Sequence, residues 1–501
     1  MDMIGEQPLY LSLQLKKWSE SQPEKPFIYY QDQVITYLQA ERITNGLAER
    51  LYGSGIRKED IVCLILPRIP ELILAFLSVV KLGGIPAPVN HFYSKEAMAQ
   101  FLHQVRPATC ILHDSFISLL PEDQVDDFQC RPVVVEQQSE GVAWQEASCE
   151  AAMVSKGALS QPDADEIAYL NFTGGSTGLP KGALATYGNI YWNTRTSIET
   201  FGFRSDDVHL CMFSPFSHPH ELFARPLQTG ASLVLLESVN PKTIVSTIRK
   251  HAVSCMMGLA PMYEMMLNHC ATKRISTLRI AESGGMYTRP DLAACFLETF
   301  GVPILSVWGS TETTGIAIAN RLDNYRIDGS MGTVCPLVEV KIKNEDGLEC
   351  APGEIGELYF KGRSVVAGYL AGVAYCCEGG WYRSGDMASK DQDGFYYFAD
   401  RKSGMVKIAG LKVYPLQVEL VIQNHPDIKE AAVVGVEERR RGAALKAVIV
   451  CREGVVLGRD DIAMYCKGKL MPYMIPKRIE VVSELPKTGS GKVDRKRLAE
   501  G

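Results

Sequence analysis

Residues 173–182 combine the features that a phosphate-binding loop requires. They read Thr-Gly-Gly-Ser-Thr-Gly-Leu-Pro-Lys-Gly and follow the apolar run 167–172, which predicts a buried strand. The four glycines let the chain bend tightly and turn backbone N–H groups toward an anion, and Lys181 adds a positive charge. The segment therefore predicts phosphate chemistry at the end of a strand.

Two common phosphate motifs are excluded by the spacing within this loop. A Walker A loop carries Ser or Thr directly after its lysine, whereas here Pro180 precedes Lys181 and Gly182 follows it. The dinucleotide fingerprint Gly-x-Gly-x-x-Gly does not fit the loop either. Taken alone, the loop could also be a surface turn rich in glycine and serine.

Further along the chain, Glu312 is a candidate metal ligand, whereas Lys492 taken alone indicates no particular function. Glu312 is the one carboxylate in the segment 307–312, Val-Trp-Gly-Ser-Thr-Glu, and Mg²⁺ prefers one or two carboxylates together with phosphate oxygens and water. The alternative is that Glu312 begins a helix and is stabilised by the helix dipole. Lys492 lies in a basic tail, where a lysine is most often solvated.

Five motifs, in their order along the chain, resemble those of the adenylate-forming superfamily of acyl-CoA synthetases, peptide-synthetase adenylation domains and firefly luciferases. They are the loop 173–182, Ser-Gly-Gly-Met at 283–286, the segment 307–312, Trp-Tyr-Arg-Ser-Gly-Asp at 381–386 with its continuation at 400–410, and Pro-Lys-Thr-Gly-Ser-Gly-Lys at 486–492. The resemblance covers nearly the whole chain and is closest to the AMP-forming acyl-CoA synthetases.

Several positions depart from the family pattern. Gly174 stands where most members have Ser or Thr, Trp308 replaces a tyrosine, and Ser384 replaces a threonine. Ser403 occupies the position of the hinge residue, which is commonly Asp or Lys, so the hinge residue stays open. A small residue beside glycine can nevertheless absorb a large backbone rotation.

The resemblance implies a role for each matched residue. Those that would hold the phosphates are Thr173, Gly174, Gly175, Ser176, Thr177, Gly178 and Lys181, with Thr311 at the α-phosphate. Those that would surround the adenine are Gly284, Gly285, Met286, Trp308, Gly309 and Ser310. Asp386 would bind the ribose, Arg401 the ribose or a phosphate, and Glu312 with Thr173 would hold magnesium.

The resemblance also implies how the acid and the thiol are handled. His218 matches a histidine that borders the carboxylate substrate, although it could instead be a loop histidine with a satisfied ring. Lys492 is the catalytic lysine, and Lys407 and Gly410 belong to the loop that forms the thiol tunnel. Glu221 lies close to the expected acid pocket, and the resemblance gives no role for it. It gives no role for the pair Cys376-Cys377 either.

Apolar runs that alternate with helical patterns must position these residues. Such alternation predicts a parallel sheet covered on both faces, with ligands beyond the carboxyl ends of its strands. From about residue 330 short strands separated by turns predict a small antiparallel, barrel-like piece. We therefore expect an α/β protein with a large N-terminal AMP-binding domain of doubly wound mixed sheets, residues 1–400. A smaller α+β domain, residues 401–501, would be joined to it by a hinge and carry Lys492.

Composition limits the possible partners. The chain has 501 residues, of which 46% are hydrophobic and 22% charged, as in ordinary soluble domains. A net charge of −6 argues against nucleic acid as a partner, and no apolar run is long enough to span a bilayer. The 14 cysteines lack paired spacing for zinc, and the N-terminus lacks a signal-peptide pattern, so we expect a cytoplasmic enzyme.

The predicted activity is ATP-dependent activation of an acyl or aryl carboxylic acid to an acyl-adenylate, followed by transfer to coenzyme A. Its cofactors would be ATP, Mg²⁺ and coenzyme A. Nine residues follow Lys492, so we expect no fused carrier domain; loading of a separate phosphopantetheinyl carrier protein is the alternative. A luciferase-like oxygenase and an inactive nucleotide-binding regulator remain open, although intact Glu312, Asp386 and Lys492 argue against the regulator.

Overall fold

The structure is a computed structural model that describes residues 10–121, 128, 131–135, 162–173, 181–236, 238–269, 275–370, 376–438, 442–487 and 493–500. The helices are α1 Leu11–Ser21, α2 Tyr37–Gly53, α3 Pro70–Lys81, α4 Lys95–Val105, α5 Tyr187–Phe201, α6 Ala224–Thr229, α7 Pro241–Lys250, α8 Ala260–His269, α9 Pro290–Phe300, α10 Pro415–Gln423, α11 Arg459–Cys466 and α12 Arg495–Glu500. Short 3₁₀ turns include Pro219–Leu222 and Lys402–Gly404.

The strands up to the middle of the chain are β1 Pro26–Tyr30, β2 Gln33–Thr36, β3 Ile61–Ile65, β4 Ile85–Pro88, β5 Thr109–His113, β6 Val133–Val135, β7 Ile167–Thr173, β8 Lys181–Thr186, β9 Val208–Cys211, β10 Ser232–Leu235, β11 Cys255–Gly258 and β12 Ile280–Ser283. The later strands are β13 Ile304–Ser310, β14 Gly315–Ala319, β15 Thr333–Val334, β16 Val338–Lys343, β17 Gly356–Gly362, β18 Cys376–Cys377, β19 Trp381–Lys390, β20 Tyr396–Arg401, β21 Val406–Ile408, β22 Leu411–Val413, β23 Ile428–Glu438, β24 Gly442–Cys451 and β25 Arg478–Val481.

Contacts divide the chain into two units. The first comprises Met1–Val340 and Phe360–Tyr382, and the second comprises Lys341–Tyr359 and Arg383–Gly501. A division of this kind does not identify the residues that rotate, so a hinge near residue 400 stays a prediction.

A nine-stranded sheet organises the first unit. Its order is β15-β14-β13-β12-β11-β9-β10-β1-β2. The six strands from β13 to β1 pair in parallel, and antiparallel strands flank them on both sides. A second sheet of the same unit, β4-β3-β5-β6, is entirely parallel. The predicted mixed, doubly wound α/β architecture is confirmed.

Burial on both faces explains why the central strands are apolar throughout. Every residue of β9 after its first, and every residue of β10, β11 and β12, is buried. Because parallel strands end at the same edge of a sheet, the segments that follow β9, β11, β12 and β13 share one edge. His218, the Gly284-Gly285 turn and Glu312 all lie on these segments.

The second unit has its own α+β core. Its sheet runs β23-β24-β25, with β23 antiparallel and β25 parallel to β24. Helix α10 contributes Val418 and Ile422 to the core beside this sheet. Elsewhere in the chain, the pairings β18-β19 and β19-β20 are antiparallel, as the short-stranded pattern after residue 330 predicts.

In the part of the chain that the structure describes, no helix combines the length and the apolar character needed to cross a bilayer.

Candidate active site

The glycine-rich loop is held at its base by two paired strands. Strands β7 and β8 run antiparallel, and Thr173 is the register partner of Lys181, so these residues mark where the loop leaves and rejoins the sheet. Residues 174–180, and with them five of the predicted phosphate ligands, lie outside the described residues. The side chain of Thr173 is not described either. The predicted strand before the loop is confirmed, and the phosphate contacts stay a prediction.

Tyr369 links two residues that the sequence singled out separately. The ammonium of Lys181 lies 5.6 Å from the centre of the Tyr369 ring, and the Tyr369 hydroxyl donates a hydrogen bond to Glu312. Leu184 N donates a hydrogen bond to Gly368 O at 3.0 Å, which holds the segment before Tyr369 against β8. Sequence reasoning missed Tyr369, because nothing local to its Gly-Tyr pair connects it to residues so far away in the chain.

The carboxylate of Glu312 is buried and faces two phenols. Glu312 is 9% exposed, and the Tyr382 phenol lies close enough to interact with its charge. Burial together with the nearby Glu312 carboxylate raises the pKa of both Tyr369 and Tyr382, so both phenols stay protonated and can donate. The hydrogen bond from Tyr369 orients the Glu312 carboxylate, whose remaining lone pairs suit a hard cation such as Mg²⁺.

Trp308 is already stacked within the protein. Its indole ring lies parallel to Phe360, with centroids 4.1 Å apart and an interplanar angle of 4°. The residue is 8% exposed. An adenine that stacks on Trp308 must therefore use the opposite face of the indole from Phe360. The signal for Phe360 is weak in sequence, because an aromatic residue in a strand is most often a core residue.

Packing within the protein explains why Gly309, Gly284 and Gly285 are glycines. A Cβ on Gly309 would lie 2.4 Å from the carbonyl oxygen of Gly315, because β13 and β14 approach closely there. A Cβ on Gly284 would lie 2.8 Å from Val307 Cγ2, and Gly285 has a φ of +72°. These positions thus require glycine with or without a ligand, and an adenine contact at them stays a prediction.

The turn that carries Thr311 and Glu312 is closed by side-chain hydrogen bonds. Ser310 N donates to Thr313 Oγ1 at 2.9 Å, and Thr313 N donates to Ser310 Oγ at 3.2 Å. Ser310 thus shapes the turn itself. Thr311 is half-buried, and its contact with a phosphate stays a prediction.

His218 directly precedes the 3₁₀ turn Pro219–Leu222, and His220 lies within it. The two side chains differ in burial and in hydrogen bonding. The His218 ring is half-buried, whereas His220 is 1% exposed and is bonded on both ring nitrogens. The ring centroids are 6.4 Å apart. His220 is thus fixed inside the protein by its two hydrogen bonds, and a contact of His218 with the substrate stays a prediction.

Glu221, which the sequence left unexplained, belongs to a buried ion network. Its carboxylate lies 3.0 Å from Arg225 Nε, and Arg225 Nη1 lies 2.7 Å from Glu282 Oε1 and 2.9 Å from Oε2. All three side chains are at most 5% exposed. Glu282 is the penultimate residue of β12, so the network lies on the strand that leads into the Gly284-Gly285 turn. No motif signals it, because its members come from separate elements.

The buried carboxylates of Glu221 and Glu282 share the guanidinium of Arg225, and this makes the stability of the protein depend on pH. Burial raises the pKa of Glu282 to about 7, opposed by Arg225 and reinforced by Glu221. Because the native pKa lies above that of the unfolded chain, Glu282 contributes stability that is present at low pH and lost as pH rises through 7. Glu282→Gln removes this loss, because glutamine does not titrate.

We expect the free energy of unfolding of the wild type to fall, relative to that of Glu282→Gln, by roughly 1–3 kcal/mol between pH 5.5 and 7.5. Urea titrations at the two pH values measure the difference. Glu298→Gln, an exposed carboxylate on α9, serves as the control and should show the same pH dependence as the wild type. Parallel pH profiles for the wild type and Glu282→Gln would contradict the prediction.

In the second unit the structure brings together Asp386 and Arg401. They are register partners across β19 and β20, and Arg401 Nε lies 2.7 Å from Asp386 Oδ1. The Asp386 side chain is 3% exposed, and Arg401 is 63% exposed. Ser384 Oγ, in the place of the family threonine, accepts a hydrogen bond from Asp386 N at 3.0 Å and donates to Leu358 O. The serine thus supports the turn before Asp386.

The predicted thiol-tunnel loop is a tight hairpin. Lys407 and Lys412 are register partners in β21 and β22, and the two residues between the strands, Ala409 and Gly410, have φ values of +51° and +83°. Two consecutive positive φ values are typical of a type I′ turn, which favours glycine. Lys407 is exposed on this hairpin.

The segment that carries Lys492 is held at both ends. Lys487 and Val493 form an antiparallel bridge, and Asp494 N donates to Pro486 O at 2.8 Å. Residues 488–492 lie outside the described residues, so the position of Lys492 itself stays a prediction.

Two family models match successive parts of the chain. A family model described as "AMP-binding enzyme" matches residues 15–370, and one described as "AMP-binding enzyme C-terminal domain" matches residues 417–492. The long-chain-fatty-acid–CoA ligase of Bacillus subtilis is 27% identical, covering 95% of this chain and 92% of that protein. The indoleacetate–CoA ligase of Aromatoleum aromaticum is 27% identical, covering 96% of each chain. The solved structure of o-succinylbenzoate CoA synthetase from Bacillus subtilis with its acyl-adenylate intermediate matches with a TM-score of 0.83 and 25% identity over 99% of this chain and 98% of that one.

Proposed function

The chain belongs to the family of AMP-binding enzymes, and from that premise we propose that it is an AMP-forming acid–thiol ligase. It activates a carboxylic acid with ATP, releasing pyrophosphate, and passes the acyl group of the acyl-adenylate to coenzyme A. The observation that carries the proposal is the arrangement around Tyr369, which brings Lys181, at the end of the glycine loop, into the same site as the buried Glu312.

The first half-reaction joins two anions, so the site must screen charge and align the attack. Lys181 and the glycine-loop amides hold the outer phosphates of ATP. Glu312, oriented by Tyr369, and Thr173 are the residues that would hold Mg²⁺. When bound, the ion neutralises charge on the phosphates and on departing pyrophosphate. Positioning of this kind can supply about 7–11 kcal/mol of the barrier.

The remaining predicted residues hold the nucleoside and the acid. The Gly284-Gly285-Met286 turn and Trp308 enclose the adenine, and Thr311 contacts the α-phosphate. His218 borders the carboxylate. Lys492 bridges the carboxylate and the α-phosphate, which places its charge where negative charge develops during attack.

In the second half-reaction the thiol of coenzyme A must reach the adenylate, at the place that Lys492 occupies during the first. We place the mobile domain at residues 401–501, with Ser403 in the hinge turn Lys402–Gly404. Rotation there withdraws Lys492 and brings the hairpin of Lys407 and Gly410 to the adenylate, so that the thiol enters along it. The thiolate attacks the acyl carbon, the C–O bond to AMP breaks, and acyl-CoA and AMP leave.

A panel of acids with pyrophosphate exchange as the readout tests the proposal. The named relatives act on a long-chain fatty acid and on indoleacetate, so fatty acids and aryl acids form the panel. We expect exchange with at least one acid, and acyl-CoA when coenzyme A is added. Exchange without acyl-CoA, but with acylation of a phosphopantetheinylated carrier, would reassign the acceptor; no exchange with any acid would reject the activity.

Asp386→Ala is expected to raise the KM for ATP by about 10–100-fold, because charged hydrogen bonds to the ribose are lost, at about 1.5–3 kcal/mol each. The kcat at saturating ATP should change little, because Asp386 does not touch the reacting atoms. Initial rates against ATP concentration measure both. Asp393→Ala removes an exposed carboxylate from the turn between β19 and β20 and is the control. An unchanged KM for ATP in Asp386→Ala would exclude a ribose contact.

A further inference from the structure

His220 connects two elements of the site from within the protein. Its Nδ1 lies 2.7 Å from the Tyr169 hydroxyl, and its Nε2 lies 2.9 Å from the carbonyl oxygen of Thr314. Tyr169 belongs to β7, the strand that leads into the glycine loop, and Thr314 lies two residues after Glu312. All three residues are at most 1% exposed.

The direction of each hydrogen bond follows from the chemistry of its atoms. A carbonyl oxygen only accepts, so Nε2 carries the proton and donates to Thr314. Burial lowers the pKa of His220 to about 3, so the ring is neutral and Nδ1 holds a lone pair. The Tyr169 hydroxyl therefore donates to Nδ1, and burial raises the pKa of Tyr169, which keeps that donor protonated. Tyr169 thus fixes the tautomer that His220 needs.

The turn that receives this hydrogen bond is strained. Thr314 has a φ of +59°, an unfavourable value for a β-branched residue that persists only where the surroundings hold it. Thr314 Oγ1 donates to Ser364 O at 2.7 Å, and Asn193 Nδ2 donates to Thr313 O at 3.1 Å and Ile316 O at 3.0 Å. Side chains from separate elements therefore clamp the backbone immediately behind Glu312.

We propose that His220, oriented by Tyr169, is a positioning residue for Glu312. It holds the Thr314 carbonyl so that residues 311–315 keep the conformation in which the Glu312 carboxylate faces the metal and the phosphates. Through Tyr169 it also ties this turn to the strand beneath the glycine loop, so that the two phosphate-binding parts keep a common register. The inference rests on the proposed role of Glu312 as a magnesium ligand.

Three variants and one control separate positioning from general support of the fold. His220→Leu removes both hydrogen bonds, His220→Gln retains an N–H donor for Thr314 O, and Tyr169→Phe removes only the orienting hydroxyl. His269→Gln changes an exposed histidine at the end of α8 and is the control. The first readout needs no ligand: hydrogen exchange of the amides of residues 311–315. The second is the affinity for Mn²⁺ in the presence of ATP, followed by electron paramagnetic resonance.

We expect His220→Leu to speed hydrogen exchange in the turn and to weaken Mn²⁺ binding by about 10-fold, mainly because the buried hydrogen bond to the Thr314 carbonyl is lost. His220→Gln should recover most of the affinity, and Tyr169→Phe should lose about 2–5-fold. The concentration of Mg²⁺ for half-maximal pyrophosphate exchange should rise in the same order, while the KM for the acid stays constant.

If folded His220→Leu has the hydrogen-exchange rates and the Mn²⁺ affinity of the wild type, the inference is overturned. If His220→Leu does not fold, unchanged hydrogen exchange of residues 311–315 in Tyr169→Phe would overturn it equally. If the wild type shows no acid-dependent pyrophosphate exchange, the proposed activity fails, whereas hydrogen exchange still reports whether His220 holds the turn.

Discussion

Lys492→Ala is expected to lose on the order of 10²–10³-fold in the rate of acyl-adenylate formation, because a preorganised positive charge is removed from the point where negative charge develops. In the proposed mechanism Lys492 takes no part in the second half-reaction, so that half-reaction should retain most of its rate. Pyrophosphate exchange measures the first half-reaction. Acyl-CoA formation from supplied acyl-adenylate measures the second.

Lys487→Ala provides a matched control for this variant. Lys487 lies in the same basic segment, pairs with Val493 across its base and lies 3.5 Å from Glu430, so it belongs to the surface of the second unit. Both half-reactions should keep near wild-type rates in this control. Equal losses of the two half-reactions in Lys492→Ala would contradict the assignment and point to a structural role for the lysine.

Glu312→Gln is expected to lower pyrophosphate exchange by about 10²–10³-fold at physiological magnesium, because the buried carboxylate loses the charge that a hard cation requires. The fold should persist, since the amide oxygen of glutamine can still accept the hydrogen bond from Tyr369. Raising the Mg²⁺ concentration should recover part of the lost rate. Exchange rates across a magnesium titration measure both effects.

Two comparisons sharpen the interpretation of Glu312→Gln. Tyr369→Phe leaves the carboxylate but removes a phenol that orients it, so we expect a loss of about 10-fold, the effect of one hydrogen bond to a charged group. Glu264→Gln, in which a half-exposed glutamate on α8 is changed, should behave as the wild type. A magnesium dependence in Glu312→Gln equal to that of the wild type would exclude Glu312 as the metal ligand.

The local sequence pattern was sufficient to locate the central strands of the first unit and the turns that follow them. Apolar runs bounded by glycine located β9 to β13 within a few residues, because strands buried on both faces cannot alternate with polar residues. Their shared carboxyl edge then followed from parallel pairing, so the placement of His218, Gly284 and Glu312 on one edge was predictable. The position of β1 was not: Ile28 pairs with Leu233, and only tertiary packing determines that register.

The contacts that shape the candidate site were the least predictable. Motif positions gave Lys181, Glu312 and Asp386, but not the phenols of Tyr369 and Tyr382 that face Glu312. The Arg225 network and the His220 bonds were missed for the same reason: each joins residues from separate elements, and single-sequence patterns report only neighbours along one element. Glu221 looked anomalous because its partners Arg225 and Glu282 become visible only in three dimensions.

The central claim is that the acid passes through an acyl-adenylate, and an oxygen-18 label tests it most directly. A carboxylate labelled on both oxygens transfers one of them to phosphorus when it attacks the α-phosphate, and thiolysis leaves that oxygen on AMP. With an accepted acid, ATP and coenzyme A, we predict AMP that carries one ¹⁸O, together with pyrophosphate and singly labelled acyl-CoA. Unlabelled AMP, or ADP with labelled inorganic phosphate, would contradict the account.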